Sequence, residues 1–174
     1  MKSDPYALLD PVPSFELTST SFADGATFSV HQRNAGLGGQ DLSPQLSWSG
    51  FPPGTRSFAV TMFDPDAPRA GGYWHWAALN LPASTAELAE GAATAAGSPG
   101  MPAGTVTLKN DGGFAGFMGA APPRGHGPHR YMLVVHALDV ATLDIGAGAT
   151  PAVLESKLKF HALARARLTG IYER

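Results

Sequence analysis

Tyr131-Met132-Leu133-Val134-Val135-His136-Ala137-Leu138 is the most apolar run in the chain. A short continuous apolar run rich in β-branched residues reads as a strand buried on both faces, central in a sheet. Two similar runs precede it, residues 57–63 and 73–81, closed by Asp64-Pro65 and Pro82. Shorter runs with apolar and polar residues alternating, or with β-branched content, fall at 14–18, 27–31, 45–48 and 105–108. All lie between clusters of Gly, Pro, Asn and Asp, as antiparallel β structure requires. One helix is expected, capped by Thr150, entered through Pro151 and running to about Leu168, with Gly170 as its stop. Ser84-Thr85-Ala86-Glu87 has the form of a capping box and could open a single helical turn. Residues 91–104, rich in Ala, Gly and Pro, read as a surface loop.

The 174 residues fit one domain spanning 1–174, with 44% hydrophobic and 15% charged residues. The 21 glycines and 15 prolines have no short period and favour many turns over a helical bundle. The formal charge of -2 lacks the basic excess of a nucleic-acid binder. With no cysteine, disulfides, thiolate zinc sites and cysteine nucleophiles are excluded. Met1-Lys2-Ser3-Asp4-Pro5 leads into no apolar leader, no run has the length of a membrane span, and the expected compartment is the cytoplasm.

The chemistry-bearing residues sit on stiff turns. In Asp64-Pro65-Asp66-Ala67-Pro68 the aspartates can line a site or cap turns. Ala67-Pro68 is a candidate cis bond. In Tyr73-Trp74-His75-Trp76, strand alternation puts Tyr73 with His75 and Trp74 with Trp76 on opposite faces. His126 and His129 bracket Gly127-Pro128 ahead of the central run. Histidines so spaced, with two aspartates, could suggest a metal, but a Gly-Pro separator is a poor metal spacing, and no metal or cofactor is expected. Gly119-Ala120-Ala121-Pro122-Pro123 is small and stiff, able to bring backbone close to a ligand. Neither a Gly-x-Ser-x-Gly elbow nor a P-loop is present.

Taken in order, Leu42-Ser43-Pro44-Gln45-Leu46-Ser47-Trp48, Asp64-Pro65-Asp66-Ala67-Pro68, His75-Trp76, Pro122-Pro123 and Gly127-Pro128-His129-Arg130-Tyr131 resemble the phosphatidylethanolamine-binding protein family, and most of all its bacterial Raf kinase inhibitor-like branch. The resemblance spans about residues 15–172. It implies a mainly β, antiparallel sandwich-like fold with a few peripheral helices and a small anion-binding pocket. By motif position it assigns Asp64, Tyr73, His75, Pro122, His129 and Tyr131 to ligand binding, and Asp66 and Pro68 to structural support. It also implies a cis bond at Ala67-Pro68 and a second near Gly71-Gly72. Gly119-Ala120-Ala121 departs from the Gly-Pro-Cys or Gly-x-Gly of relatives. No counterpart of the C-terminal helix of animal members follows Tyr172, so a Raf-type kinase is not carried over as a partner.

The function implied is binding of small anions or phospholipid head groups by an Asp-His-His pocket, in a regulatory or inhibitory module and without turnover. The alternatives are an inhibitor of a protease or kinase acting through its surface, and a hydrolase using Asp, His and water. No integral membrane contact is expected, and the family's habit allows a homodimer. Physically, a carboxylate beside His75 or His129 stabilises the charged ring, which then donates one N–H to the aspartate and one to the ligand. Affinity should therefore fall as pH rises through about 7.

Overall fold

The computed structural model describes residues 4–174; Met1-Lys2-Ser3, on which the expectation of no apolar leader partly falls, lie outside the described residues. The strands are β1 (Glu16–Thr18), β2 (Leu46–Ser49), β3 (Ser57–Asp64), β4 (Tyr73–Pro82), β5 (Glu87–Leu88), β6 (Val106–Thr107), β7 (His129–Leu138) and β8 (Ala162–Tyr172). One helix, α1 (Pro151–His161), precedes β8, and three single 3-10 turns lie at Pro5–Leu8, Val30–Gln32 and Ala35–Leu37. A five-stranded sheet has the order β6-β4-β3-β7-β8, and a three-stranded sheet the order β1-β2-β5. Every pairing within them is antiparallel.

The apolar runs are explained by what covers the large sheet. On one face Val60, Met62, Trp76, Leu133 and Val135 meet Leu17, Leu46, Trp48 and Leu88 of the small sheet. Trp48 packs edge-on to Phe58 with ring centroids 5.5 Å apart, and Phe51 meets Phe58 at 4.9 Å. Each such ring pair adds roughly 0.5–1.5 kcal/mol beyond its buried area. On the other face Ala59, Ala77, Leu79 and Leu138 receive Leu154 and Leu158 of α1. All eight residues of β3 are buried as a result, and β7 is flanked by β3 and β8.

The expected helix from Thr150 to Leu168 is corrected by the structure. It starts at Pro151 as expected, although the Thr150 side chain makes no capping hydrogen bond, and it ends at His161. Residues 162–172 are instead the edge strand β8, paired with β7 along its length. Ala164, Ala166 and Leu168 point into the sandwich while Arg165 and Arg167 point away. That period of two, written in helix-favouring Ala, Arg and Leu, decides for a strand once β7 offers a partner. Gly170 is no helix stop: a Cβ there would overlap the Phe28 ring, which is fully buried against it.

Three shorter expectations change as well. Residues 27–31 are not a strand; Thr27 makes one bridge to Ile171, and Ser29 accepts from the His31 N–H (3.2 Å) to cap a 3-10 turn. Ser84-Thr85-Ala86-Glu87 opens no helical turn; Thr85 N–H closes a turn on Pro82 O (2.9 Å), and Glu87 pairs with Ser47 in β5. No peptide bond among the described residues is cis, neither at Ala67-Pro68 nor at Gly71-Gly72. The chain reverses there through left-handed glycines, Gly71 at φ 79° and Gly72 at φ 72°. A Cβ on Gly72 would overlap the Phe63 ring, so the close approach also requires glycine.

Candidate functional site

The turn leaving β3 is organised by Asp64, 3% exposed. Its Oδ1 accepts from the N–H groups of Asp66 (2.8 Å) and Ala67 (3.0 Å), which is the turn-capping role. Its Oδ2 lies 2.7 Å from His129 Nδ1 at the start of β7. An ionised carboxylate only accepts, so His129 Nδ1 carries the proton. One side chain thus shapes the turn and fixes a histidine from the other proline motif.

His75 reaches the same place through a β-bulge. Met62 pairs with Trp76 and Phe63 with Trp74, so His75 is the extra residue on β4. Bulges re-aim side chains and break alternation. Tyr73 and His75 do stay together, rings 4.9 Å apart, as expected. The two tryptophans do not: Trp76 lies in the sandwich core against Phe117, whereas Trp74 meets Phe63 in a tilted contact at 4.5 Å. His75 Nδ1–H donates to Met118 O (2.9 Å), leaving Nε2 as the ring nitrogen available to an occupant. Burial holds the His75 pKa below its ordinary value of 6.5, outweighing the opposite pull of the Met118 carbonyl and Asp64. The expectation that a nearby carboxylate would keep this ring charged is therefore corrected; near neutral pH, His75 Nε2 presents a lone pair.

These residues line a cavity of about 280 Å³. Asp64, Tyr73, His75 and His129 face it, as the sequence reading assigned. Pro68, assigned to support, lines it too. Pro122 is buried but does not line the cavity; its neighbours Ala121 and Pro123 do. Tyr131 lies behind the wall, 5.1 Å from the His75 ring and 6.5 Å from the His129 ring, with its hydroxyl pKa raised by burial. Asp66 turns away to accept from Arg130 backbone N–H (3.1 Å), Nε (2.7 Å) and Nη2 (2.9 Å).

Arg69 and Met118 also line the cavity and were not singled out from the sequence. Arg69 sits over the Tyr73 ring at 5.4 Å and pairs with Asp111 at 3.4 Å. Its signal was its place directly after Asp64-Pro65-Asp66-Ala67-Pro68. The Gly119-Ala120-Ala121 departure is structurally supported. Asp41 Oδ1 accepts from Gly119 N–H (2.7 Å), and Ala120 exchanges backbone bonds with Gln32 and Asn34. His126, weighed only as a metal ligand, places Nδ1 2.7 Å from His129 Nε2, a hydrogen-bond distance. Among the described residues, no group of three or more His, Cys, Asp or Glu could hold a metal ion.

The architecture is shared with known proteins. The family model for phosphatidylethanolamine-binding protein matches residues 18–173. The chain is 41% identical over 159 residues to the UPF0098 protein YbhB of Escherichia coli, covering 90% of this chain and 99% of that one. It superposes on the crystal structure of E. coli YbcL, a new member of the mammalian PEBP family, with TM-score 0.89 and 37% identity. That match covers 92% of this chain and 99% of YbcL. The chain belongs to the phosphatidylethanolamine-binding protein family. No helix among the described residues is long and apolar enough to cross a membrane.

Proposed function

We propose that this protein binds a small anion, or the phosphoryl part of a phospholipid head group, in the cavity between Asp64, His75 and His129, without chemical turnover. The observation that carries the reading is three titratable side chains, each at most 3% exposed, converging on a cavity of about 280 Å³. Buried ionisable groups are costly and mark functional sites. The volume is near the lower limit, about 300 Å³, of ordinary ligand pockets, which favours a head group over a whole lipid. Apolar walls from Ala67, Pro68, Met118 and Pro123 strengthen polar contacts inside, and Arg69 adds a cation at the mouth. The family's description points to the same ligand class.

A neutral His75 Nε2 accepts, as do the oxygens of a fully ionised phosphoryl group. A proton must therefore enter with the ligand, on the ring or on the anion. Affinity falls as pH rises, by up to about tenfold per pH unit for each proton taken up. Both His129 nitrogens are engaged, Nδ1 by Asp64 and Nε2 by His126, so in the hydrolase alternative the base that activates water would be His75 Nε2. A cytoplasmic setting, a protease or kinase target and a homodimer stay part of the proposal.

The test is calorimetric titration of O-phosphorylethanolamine into wild-type protein and His75→Gln at pH 6. Loss of at least tenfold in affinity is expected for the variant. Equal affinity would place the ligand elsewhere.

A further inference from the structure

We propose that His126 is a working part of the cavity: through its contact with His129 it takes from solvent the proton that lets an anion sit beside Asp64. This rests on the anion-binding reading above and adds to it a residue that the motif assignment did not include.

The hydrogen-bond chain runs Asp64 Oδ2, His129 Nδ1, His129 Nε2, His126 Nδ1, with both contacts at 2.7 Å. Its proton count is determined by the acceptors. Asp64 requires a proton on His129 Nδ1, so in the neutral state His126 Nδ1–H donates to His129 Nε2. His129 is 1% exposed, while His126 is exposed. Water can therefore protonate the outer nitrogen of His126 without moving a heavy atom. The Nδ1 proton can then shift across the 2.7 Å contact onto His129 Nε2. The result is an imidazolium in the cavity wall, held between the Asp64 carboxylate and the His126 lone pair, with every ring N–H satisfied. The chain of three goes from net charge -1 to zero, and the repulsion that Asp64 exerts on an anion is cancelled.

The other ionisable groups that face this contact come from every element packed around it. From the β3 turn come Asp64 and Asp66, the latter held by Arg130. Tyr73 and His75 come from β4, Tyr131 from β7 and Tyr172 from β8 opposite His129. Arg124 precedes His126 in the chain, Arg174 donates to Pro122 O (3.5 Å), and Arg69 stands with Asp111 at the mouth. Arginines stay charged, and tyrosines and carboxylates keep one state, between about pH 5.5 and 8.5.

Inorganic sulfate, which neither gains nor loses a proton in that range, is the probe, and inorganic phosphate is titrated into wild type beside it. Its affinity is measured by calorimetry from pH 5.5 to 8.5 in two buffers of different ionisation enthalpy, for wild type, His126→Asn and His126→Ala. Wild type is expected to take up part of a proton on binding. Both variants should take up less and bind sulfate about tenfold more weakly at pH 6.5, the equivalent of one pKa unit. Urea unfolding of each variant at the same pH values separates lost affinity from a lost fold. Unchanged uptake and affinity in both variants would overturn the role of His126 alone, as would wild-type binding of phosphate but not sulfate. Binding of neither anion at any pH would overturn the anion-binding reading as well.

Discussion

Asp66 and Arg130 join the two proline-flanked motifs: Asp66 Oδ2 accepts from Arg130 backbone N–H at 3.1 Å and Nε at 2.7 Å, while Oδ1 accepts from Nη2 at 2.9 Å. The fork keeps Arg130 charged, its pKa raised first of all by the Asp66 hydrogen bonds. It also sets the spacing of the neighbouring Asp64 and His129, two positions before Asp66 and one before Arg130. Arg130→Met would leave a buried carboxylate with a lost partner, at a cost of about 3 kcal/mol in urea unfolding. Arg130→Lys should recover only part, since an ammonium cannot reproduce the planar fork. Equal stability of all three proteins would contradict this.

Gly170→Ala should destabilise the fold by about 1–3 kcal/mol, the range for overpacking a filled core. The new methyl meets the Phe28 ring, which is fully buried between Phe22 (5.0 Å between centroids) and Tyr131 (5.5 Å). Phe28→Leu combined with Gly170→Ala should lose less than the sum of the single changes, because the two atoms compete for one space. Additive losses in thermal unfolding would show that the clash is not the cause.

The parts of the fold that were legible in the sequence are those that local pattern dictates. Strands β3, β4 and β7 are continuous apolar runs because both faces of the large sheet are covered. The partial misreading of 151–168 has a local cause too: Ala, Leu and Arg favour helix, and only pairing with β7 reveals the alternation of Arg165 and Arg167. The site was half legible. Asp64, His75 and His129 follow from motif order, but the bulge that re-aims His75 depends on pairing with Met62 and Phe63. Arg69 and the His126–His129 contact depend on where two loops meet, which no linear pattern records.

Stability should fall as pH drops below 6.5. Burial lowers the pKa of His136 to about 3 and that of His75 in the same direction, from ordinary values of 6.5. Both rings are neutral when folded and gain protons more readily when unfolded. Their contribution is complete above pH 6.5 and is lost as pH falls toward 3 for His136. The slope is about 1.4 kcal/mol per pH unit for each proton. Urea unfolding at pH 7.5, 6 and 5 checks this, and His136→Phe should flatten the dependence. An unchanged slope in that variant would contradict the assignment.

Arg69 should tune affinity from the cavity mouth. Its pairing with Asp111 at 3.4 Å competes with any anion entering below it. Arg69→Gln is expected to weaken O-phosphorylethanolamine binding severalfold at low salt, with the difference shrinking as salt rises. Asp111→Asn, which retains an oxygen for Trp74 N–H, should strengthen binding. Effects of the opposite sign would place the ligand away from Arg69.

The central claim is that a phosphoryl oxygen seats on His75 Nε2 with a proton between them. The most direct measurement is the histidine nitrogen NMR spectrum at pH 7, titrated with O-phosphorylethanolamine. Without ligand, His75 should show Nδ1 protonated toward Met118 and Nε2 as a bare lone pair. Saturation should move the Nε2 resonance into the protonated or strongly hydrogen-bonded range. A ligand that binds while His75 Nε2 keeps its free-state resonance would contradict the account.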